Sequence, residues 1–241
     1  MLENDSIIAS AIIQVKKNPV LTSKLVYNEA LDKIGLKPGD IDFCVGTGYG
    51  REKIPFIQKS LSEISCHGKG AYMLNPDIRT IIDIGGQDCK VISLDKTGDL
   101  KDFIMNEKCA AGTGRYLEIM AGLLNLSLDD LGKISLKAKT PIVMSSVCSI
   151  YAQSEVLQYI SKKTRKEDIA AGINKAMAER VIMMTKKKVL EPDYTISGGV
   201  AKNIGVVRSM EKILGIKFIK LPVDSQLVGA LGAAYFAKES C

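Results

Sequence analysis

An α/β protein of two similar lobes is the fold class this chain predicts. Two observations carry that reading. Strands followed by helix–strand alternation run twice along the 241 residues, which is the ordering of α/β architectures. An apolar strand also leads twice into a glycine pair, at Asp83-Ile84-Gly85-Gly86-Gln87-Asp88 and at Ser197-Gly198-Gly199-Val200-Ala201. No repeat is visible residue by residue, so the two lobes rest on element order. The expected division is lobe one over residues 1–78, completed by a C-terminal helix over 226–241, and lobe two over 79–225.

Ser6 to Val15 carries Ile7, Ile8, Ile12 and Ile13 and reads as two short strands or a hairpin. Leu21, Leu25, Ala30, Leu31 and Ile34 recur at helical spacing, Gly35 ends that helix, and Pro38-Gly39-Asp40 turns the chain. Ile41 to Val45 reads as a short buried strand, Gly46 to Gly50 as a flexible loop, and Ile54 to Ser60 and Ser65 to Leu74 as helices. Thr80 to Asp83, Cys89 to Leu94 and the stretch around Phe103-Ile104-Met105 read as strands. Helices are expected over Thr113 to Leu124, Ser149 to Ile160 and Lys166 to Lys187. Tyr194-Thr195-Ile196 reads as a strand, Asn203 to Leu214 as a helix, Lys217 to Leu221 as a strand, and Gln226 to Lys238 as an Ala/Gly-rich helix.

Composition bounds the class. With 46% hydrophobic and 25% charged residues, the chain fills a core and covers its surface. The net charge of +6 is scattered, and its densest run, Lys186-Lys187-Lys188, reads as a solvated helix end, so nucleic acid is not an expected partner. The start Met1-Leu2-Glu3-Asn4-Asp5 is acidic and lacks the basic region of a secretory signal. The uncharged stretch from Thr140 to Ser154 is too short and polar to span a bilayer, so no membrane is expected and the expected location is cytoplasmic. Six irregularly spaced cysteines do not make a disulfide scaffold.

The chemistry concentrates in four segments. Asp83 ends a buried strand, where a carboxylate needs a partner or a metal ion. Gly85 and Gly86 let backbone N–H groups approach an anion, and Asp83 or Asp88 could hold Mg²⁺ through water. The same residues also suit an ordinary β-hairpin turn. At Ser197-Gly198-Gly199 a strand ends shortly before a helix, a place that attracts phosphate but also an ordinary connection. The small-residue face Gly229-Ala230-Leu231-Gly232-Ala233-Ala234 suits close helix packing or approach to a cleft.

Cys109, in Asn106-Glu107-Lys108-Cys109-Ala110-Ala111-Gly112-Thr113-Gly114-Arg115, and Cys148, in Ser145-Ser146-Val147-Cys148, each precede a helix start, which favours a thiolate. They lie 39 residues apart, and two thiolates fall short of a four-cysteine cluster. Two chains related by a twofold axis would supply four; two buried structural cysteines are the alternative. Cys44 and Cys89 read as core strand residues, Cys241 as free, and the single histidine, His67, as partly buried. Tyr49, Arg51 and Glu63 could face a cleft.

Taken together, these segments resemble the ATP-dependent activators of 2-hydroxyacyl-CoA dehydratases, within the BadF/BadG/BcrA/BcrD ATPase group. The resemblance runs through Gly46-Thr47-Gly48-Tyr49-Gly50-Arg51, Glu63-Ile64-Ser65-Cys66-His67, Asp83 to Lys90, Met105 to Arg115, Ser145 to Glu155, Ser197 to Asn203 and Gly229 to Ala234. The block Lys108 to Arg115 is its most specific part.

The resemblance implies a two-lobed fold similar to acetate kinase, Hsp70 and actin, with ATP or ADP and Mg²⁺ between the lobes. It implies Asp83 and Gln87 as catalytic residues, and Gly85, Gly86, Asp88, Lys90, Gly198, Gly199, Ala201 and Asn203 as nucleotide-binding. It implies one 4Fe-4S cluster per homodimer, held by Cys109 and Cys148 of each chain. Ferredoxin or flavodoxin would donate an electron, which ATP hydrolysis drives onto a 2-hydroxyacyl-CoA dehydratase or a related iron–sulfur reductase. An ATPase subunit of a benzoyl-CoA reductase and an activator of a double-cubane protein share the same site. A small-molecule kinase or a non-catalytic nucleotide-binding protein would lack the cluster. One departure stands out: the family opens with a strand and a first phosphate hairpin that have no counterpart here, Met1 to Ser6 corresponding to the turn after them.

Overall fold

In this computed structural model the described residues are 1–106, 109–145, 148–185 and 190–241. The strands are β1 (Leu2–Glu3), β2 (Ser6–Ile7), β3 (Val45–Thr47), β4 (Lys59–Leu61), β5 (Thr80–Ile84), β6 (Cys89–Leu94), β7 (Leu100–Asn106) and β8 (Tyr194–Ser197). The helices are α1 (Pro19–Asp32), α2 (Glu63–Leu74), α3 (Gly114–Leu124), α4 (Leu128–Ser135), α5 (Ser149–Ser161), α6 (Lys166–Thr185), α7 (Ile204–Leu214) and α8 (Val228–Lys238). The mixed α/β fold matches actin-like ATPase structures. The chain forms two compact units. Unit one comprises Met1–Arg79, Leu94–Lys101 and Leu221–Cys241; unit two comprises Thr80–Ser93 and Asp102–Lys220.

Unit two is built on the sheet order β7-β6-β5-β8. β5 pairs antiparallel with β6, from Thr80 opposite Ser93 to Ile84 opposite Cys89, and parallel with β8, from Thr80 opposite Tyr194 to Asp83 opposite Ser197. All five β5 residues are buried. A continuous apolar run is what a strand covered on both faces requires. Ile82, Ile84 and Cys89 join one core with Leu117 and Met120 of α3, Leu131 of α4, Ile173 and Met177 of α6, and Val206 of α7.

Unit one contains two separate pairs. β1 and β2 form an antiparallel hairpin turned by Asn4 and Asp5, both at positive φ (47° and 67°), the geometry of a two-residue turn matched to strand twist. β3 and β4 are parallel, from Val45 opposite Lys59 to Thr47 opposite Leu61. α2 and α8 pack through their glycines. A Cβ on Gly70 would meet the Val228 carbonyl, and one on Gly232 the Cys66 carbonyl. The small-residue face of α8 therefore serves helix packing.

Several expectations change. Residues 54–60 are not a helix: a 3₁₀ turn at Arg51–Lys53 precedes them and β4 begins at Lys59, because Pro55 cannot donate within a helix. Gly46 and Thr47 belong to β3 rather than to a loop, and Cys44 lies just outside that strand. Lys217 to Leu221 contributes one bridge, Ile219 to Thr195, instead of a strand. α4 was not expected; Ser127 caps it, its side chain accepting from the Asp130 N–H. The run Lys186-Lys187-Lys188 lies outside the described residues.

Candidate functional site

Three strands set the site in register. Asp83 stands opposite Lys90 of β6 on one side and opposite Ser197 of β8 on the other. Ser197 Oγ donates to Asp83 Oδ1 at 2.8 Å. Lys90 Nζ donates to Asp88 Oδ2 at 2.5 Å and stands 3.8 Å from Asp83 Oδ2. All three charged residues are buried: Asp83 3% exposed, Asp88 7% and Lys90 2%. Burial of an unpaired ion is prohibitive, so Lys90 acts here as the internal counter-ion of two carboxylates.

The turn between β5 and β6 closes with Gly85 N–H donating to Asp88 O at 3.0 Å. Its tip, Gly86 and Gln87, is exposed. The hairpin continues into α3. Gly85 O accepts from Gly114 N–H and Gly86 O from Arg115 N–H, both at 2.8 Å. These are the first two N–H groups of α3, which have no partner within the helix. A Cβ on Gly114 would fall 3.1 Å from Gly86 Cα and 3.2 Å from Gly85 O, so glycine is what permits the contact. The helix start is thus engaged by hairpin carbonyls rather than left open to an anion.

Cys109 lies five residues before α3 and is partly buried. Its carbonyl accepts from Asn106 Nδ2 at 3.0 Å, and the Ala110 carbonyl accepts from Thr113 N–H and Oγ1 at 3.0 and 2.8 Å. Cys148 is exposed and occupies the N-cap of α5. Glu155 of α5 accepts from Ser145 N–H and Oγ at 2.9 and 3.1 Å, tying the approach to Cys148 onto the helix. Glu107, Lys108, Ser146 and Val147 of these segments lie outside the described residues.

The other cysteines differ in kind. Cys66 and Cys89 are fully buried, and burial pushes both thiols upward; at Cys89 the carboxylates of Asp83 and Asp88 push further. Burial also raises Cys44. Exposure and position at helix starts therefore leave Cys109 and Cys148 as the thiols fitted to hold a metal centre. Among the described residues no three His, Cys, Asp or Glu side chains of one chain are grouped to hold a metal ion.

At the second glycine pair, Gly198 has φ 82°, and a Cβ there would meet the Ile84 carbonyl. Gly199 opens a 3₁₀ turn over Gly199–Lys202 and is exposed, with Ala201 half-buried. Asn203 caps α7, its Oδ1 accepting from Gly205 and Val206 N–H at 3.0 and 3.1 Å, while its Nδ2 reaches Asn174 Oδ1 at 3.3 Å. Its side chain thus shapes the helix start that Gly199 and Ala201 lead into. In unit one, Arg51 pairs with Glu63 at 3.1 Å, Tyr49 is exposed, and His67 is partly buried against Gly229. Ser197, Asn106 and Glu155 escaped the sequence reading as functional side chains. Ser197 becomes legible only when strand register is known.

Residues 2–237 match the BadF/BadG/BcrA/BcrD ATPase family. The chain is 43% identical over 242 residues to the activator of lactoyl-CoA dehydratase from Anaerotignum propionicum, covering 99% of this chain and 91% of that protein. The crystal structure of component A of the (R)-2-hydroxyglutaryl-CoA dehydratase of Acidaminococcus fermentans superimposes with a TM-score of 0.93 at 39% identity, over 98% of this chain and 90% of that one. The activator of the 2-hydroxyisocaproyl-CoA dehydratase from Clostridium difficile, with bound ADPNP, gives a TM-score of 0.87 at 42% identity, over 90% and 81%. No helix among the described residues is long and apolar enough to cross a membrane.

Proposed function

The chain belongs to the BadF/BadG/BcrA/BcrD ATPase family, and from that premise we propose that it is an ATP-hydrolysing activator that passes a low-potential electron to a 2-hydroxyacyl-CoA dehydratase. One observation carries the reading: the glycine hairpin hydrogen-bonds directly to the start of α3, five residues after Cys109. A nucleotide held at one end is thereby joined to a thiol at the other.

The exposed Gly86 and Gln87 offer the phosphate end of ATP or ADP its contact, with Gly199 and Ala201 at the second turn. Gln87 would orient the attacking water, and Asp83 would stand behind it, fixed by Ser197 and Lys90. Asp83 and Asp88 would hold Mg²⁺ through water, since their oxygens already face Lys90. Cys109 and Cys148 of two copies would together supply the four thiolates of a 4Fe-4S cluster, making the working form a homodimer. When bound, that cluster supplies one-electron transfer at a low potential. Ferredoxin or flavodoxin would be the donor. The coupling requires that nucleotide favour one arrangement of hairpin and α3 over another. Gly85, Gly86, Gly114 and Arg115 then move together, and the Cys109 turn, braced by Asn106 and Thr113, moves with them.

The test is anaerobic purification of the chain and of Cys109→Ala and Cys148→Ala. The account expects iron and a brown chromophore in the parent, loss of both in either variant, and ATP binding retained in all three. Iron and colour that persist in the variants would overturn the ligand assignment.

A further inference from the structure

Unit one contains a cavity of about 690 Å³. Leu2 of β1 and Val45 of β3 line it, with Val26 and Ala30 of α1 and Ala234 and Ala237 of α8. The two strands that border it each have one neighbour among the described residues: β1 pairs with β2, and β3 with β4. On the β2 side the hairpin is extended by Met1 N–H₃⁺ donating to Ala9 O at 2.8 Å and Ile8 N–H donating to Met1 O at 3.2 Å. The Thr47 hydroxyl, also in the lining, is buried without a hydrogen bond of ordinary geometry, although the Cys66 thiol lies beside it. Two open strand edges and a buried hydroxyl call for backbone donors and acceptors as well as apolar surface.

We propose that this cavity is an acceptor groove for one added β-strand, an extended apolar peptide segment that enters between β1 and β3 and pairs with both. Strand addition to an open edge is an established mode of peptide recognition, in which main-chain hydrogen bonds give affinity and side-chain pockets give selectivity. A small apolar molecule would fill the volume yet leave both edges unpaired. The helices α1 and α8 both line the groove, so the segment must be apolar on both faces, as a fully covered strand is. Its length follows from its neighbours and from ordinary strands, about five or six residues. The two relatives matched over nearly all of this chain each carry about a tenth more polypeptide than has a counterpart here. A stretch of that kind is the occupant the groove fits.

The full chain is mixed with a synthetic peptide of about six β-branched apolar residues flanked by lysines, and with the same peptide carrying a central proline. Hydrogen exchange is read at β1 and β3, and thermal midpoints are followed against peptide concentration. The first peptide should slow exchange at both strands by about tenfold or more and raise the midpoint with concentration; the proline peptide should do neither. Joining the first peptide to Met1 through a Gly/Ser linker raises its local concentration to about millimolar, so weak affinity cannot hide the effect. Ala234→Phe should fill the groove and abolish the response while the chain stays folded. The proposal fails if β3 stays unprotected even with the tethered peptide, or if the proline peptide protects equally. It also fails if β1 and β3 are already protected in a dimer of the untreated chain, which would make a second copy the occupant.

Discussion

In unit two the central strand β5 has a neighbour on each side and all five of its residues are buried. In unit one β3 has three residues and a single neighbour, and β1 and β2 stand as a pair of two-residue strands with one half-buried and three exposed positions. Both regions are rich in isoleucine and valine. The difference teaches that burial of a strand follows from the number of its partners, and that a fixed site needs both. Asp83 can be held between Lys90 and Ser197 only because β6 and β8 flank β5 on either side.

The sharpest way to break this contrast is Lys90→Met. It leaves two buried carboxylates without their cation and should destabilise unit two by about 3–5 kcal/mol. Chemical denaturation followed by hydrogen exchange should then show β5 opening as readily as β3 does in the parent. Gly114→Ala comes next. Its Cβ presses on Gly86 and should cost about 1–3 kcal/mol through overpacking, and it should weaken nucleotide binding measured by calorimetry while leaving β5 exchange slow. Alkaline pH sharpens the comparison without mutation. Burial raises the thiols of Cys66 and Cys89, so above about pH 8.5 the unfolded chain loses these protons while the folded chain keeps them. Stability contributed by the neutral thiols is therefore complete below that pH and falls as pH rises, by at most about 1.4 kcal/mol per pH unit for each thiol. Unit two should decline over a longer span, because Asp83 and Asp88 push Cys89 further; denaturation midpoints at pH 7 and pH 10 measure it. The smallest effect is expected of Asn203→Ala, about 1 kcal/mol from loss of the α7 cap, visible as a lower thermal midpoint with β5 unaffected.

Much of unit two was legible in the sequence. The run from Thr80 to Leu94 carries its own instructions: an apolar strand, a glycine turn and a return strand, and β6 falls where alternation and the turn place it. Partners distant in sequence were not legible. β4 was hidden because Ile54 and Ile57 mimic helical spacing, and its pairing with β3 comes from a stretch that no local signal announces. At the site, the glycines and cysteines showed as motifs, whereas the row Lys90, Asp83, Ser197 exists only in register. The role of Gly114 was hidden likewise, since what it approaches is Gly86, 28 positions earlier in the chain.

The claim that the glycine hairpin and the Cys109 turn form one mechanical piece is tested most directly by the alkylation rate of metal-free chain with and without saturating ATP, resolved by peptide mass. The account predicts that ATP changes the rate at Cys109 severalfold, while fully buried Cys66 and Cys89 stay slow in both conditions. An unchanged Cys109 rate in chain shown to have bound ATP would contradict it.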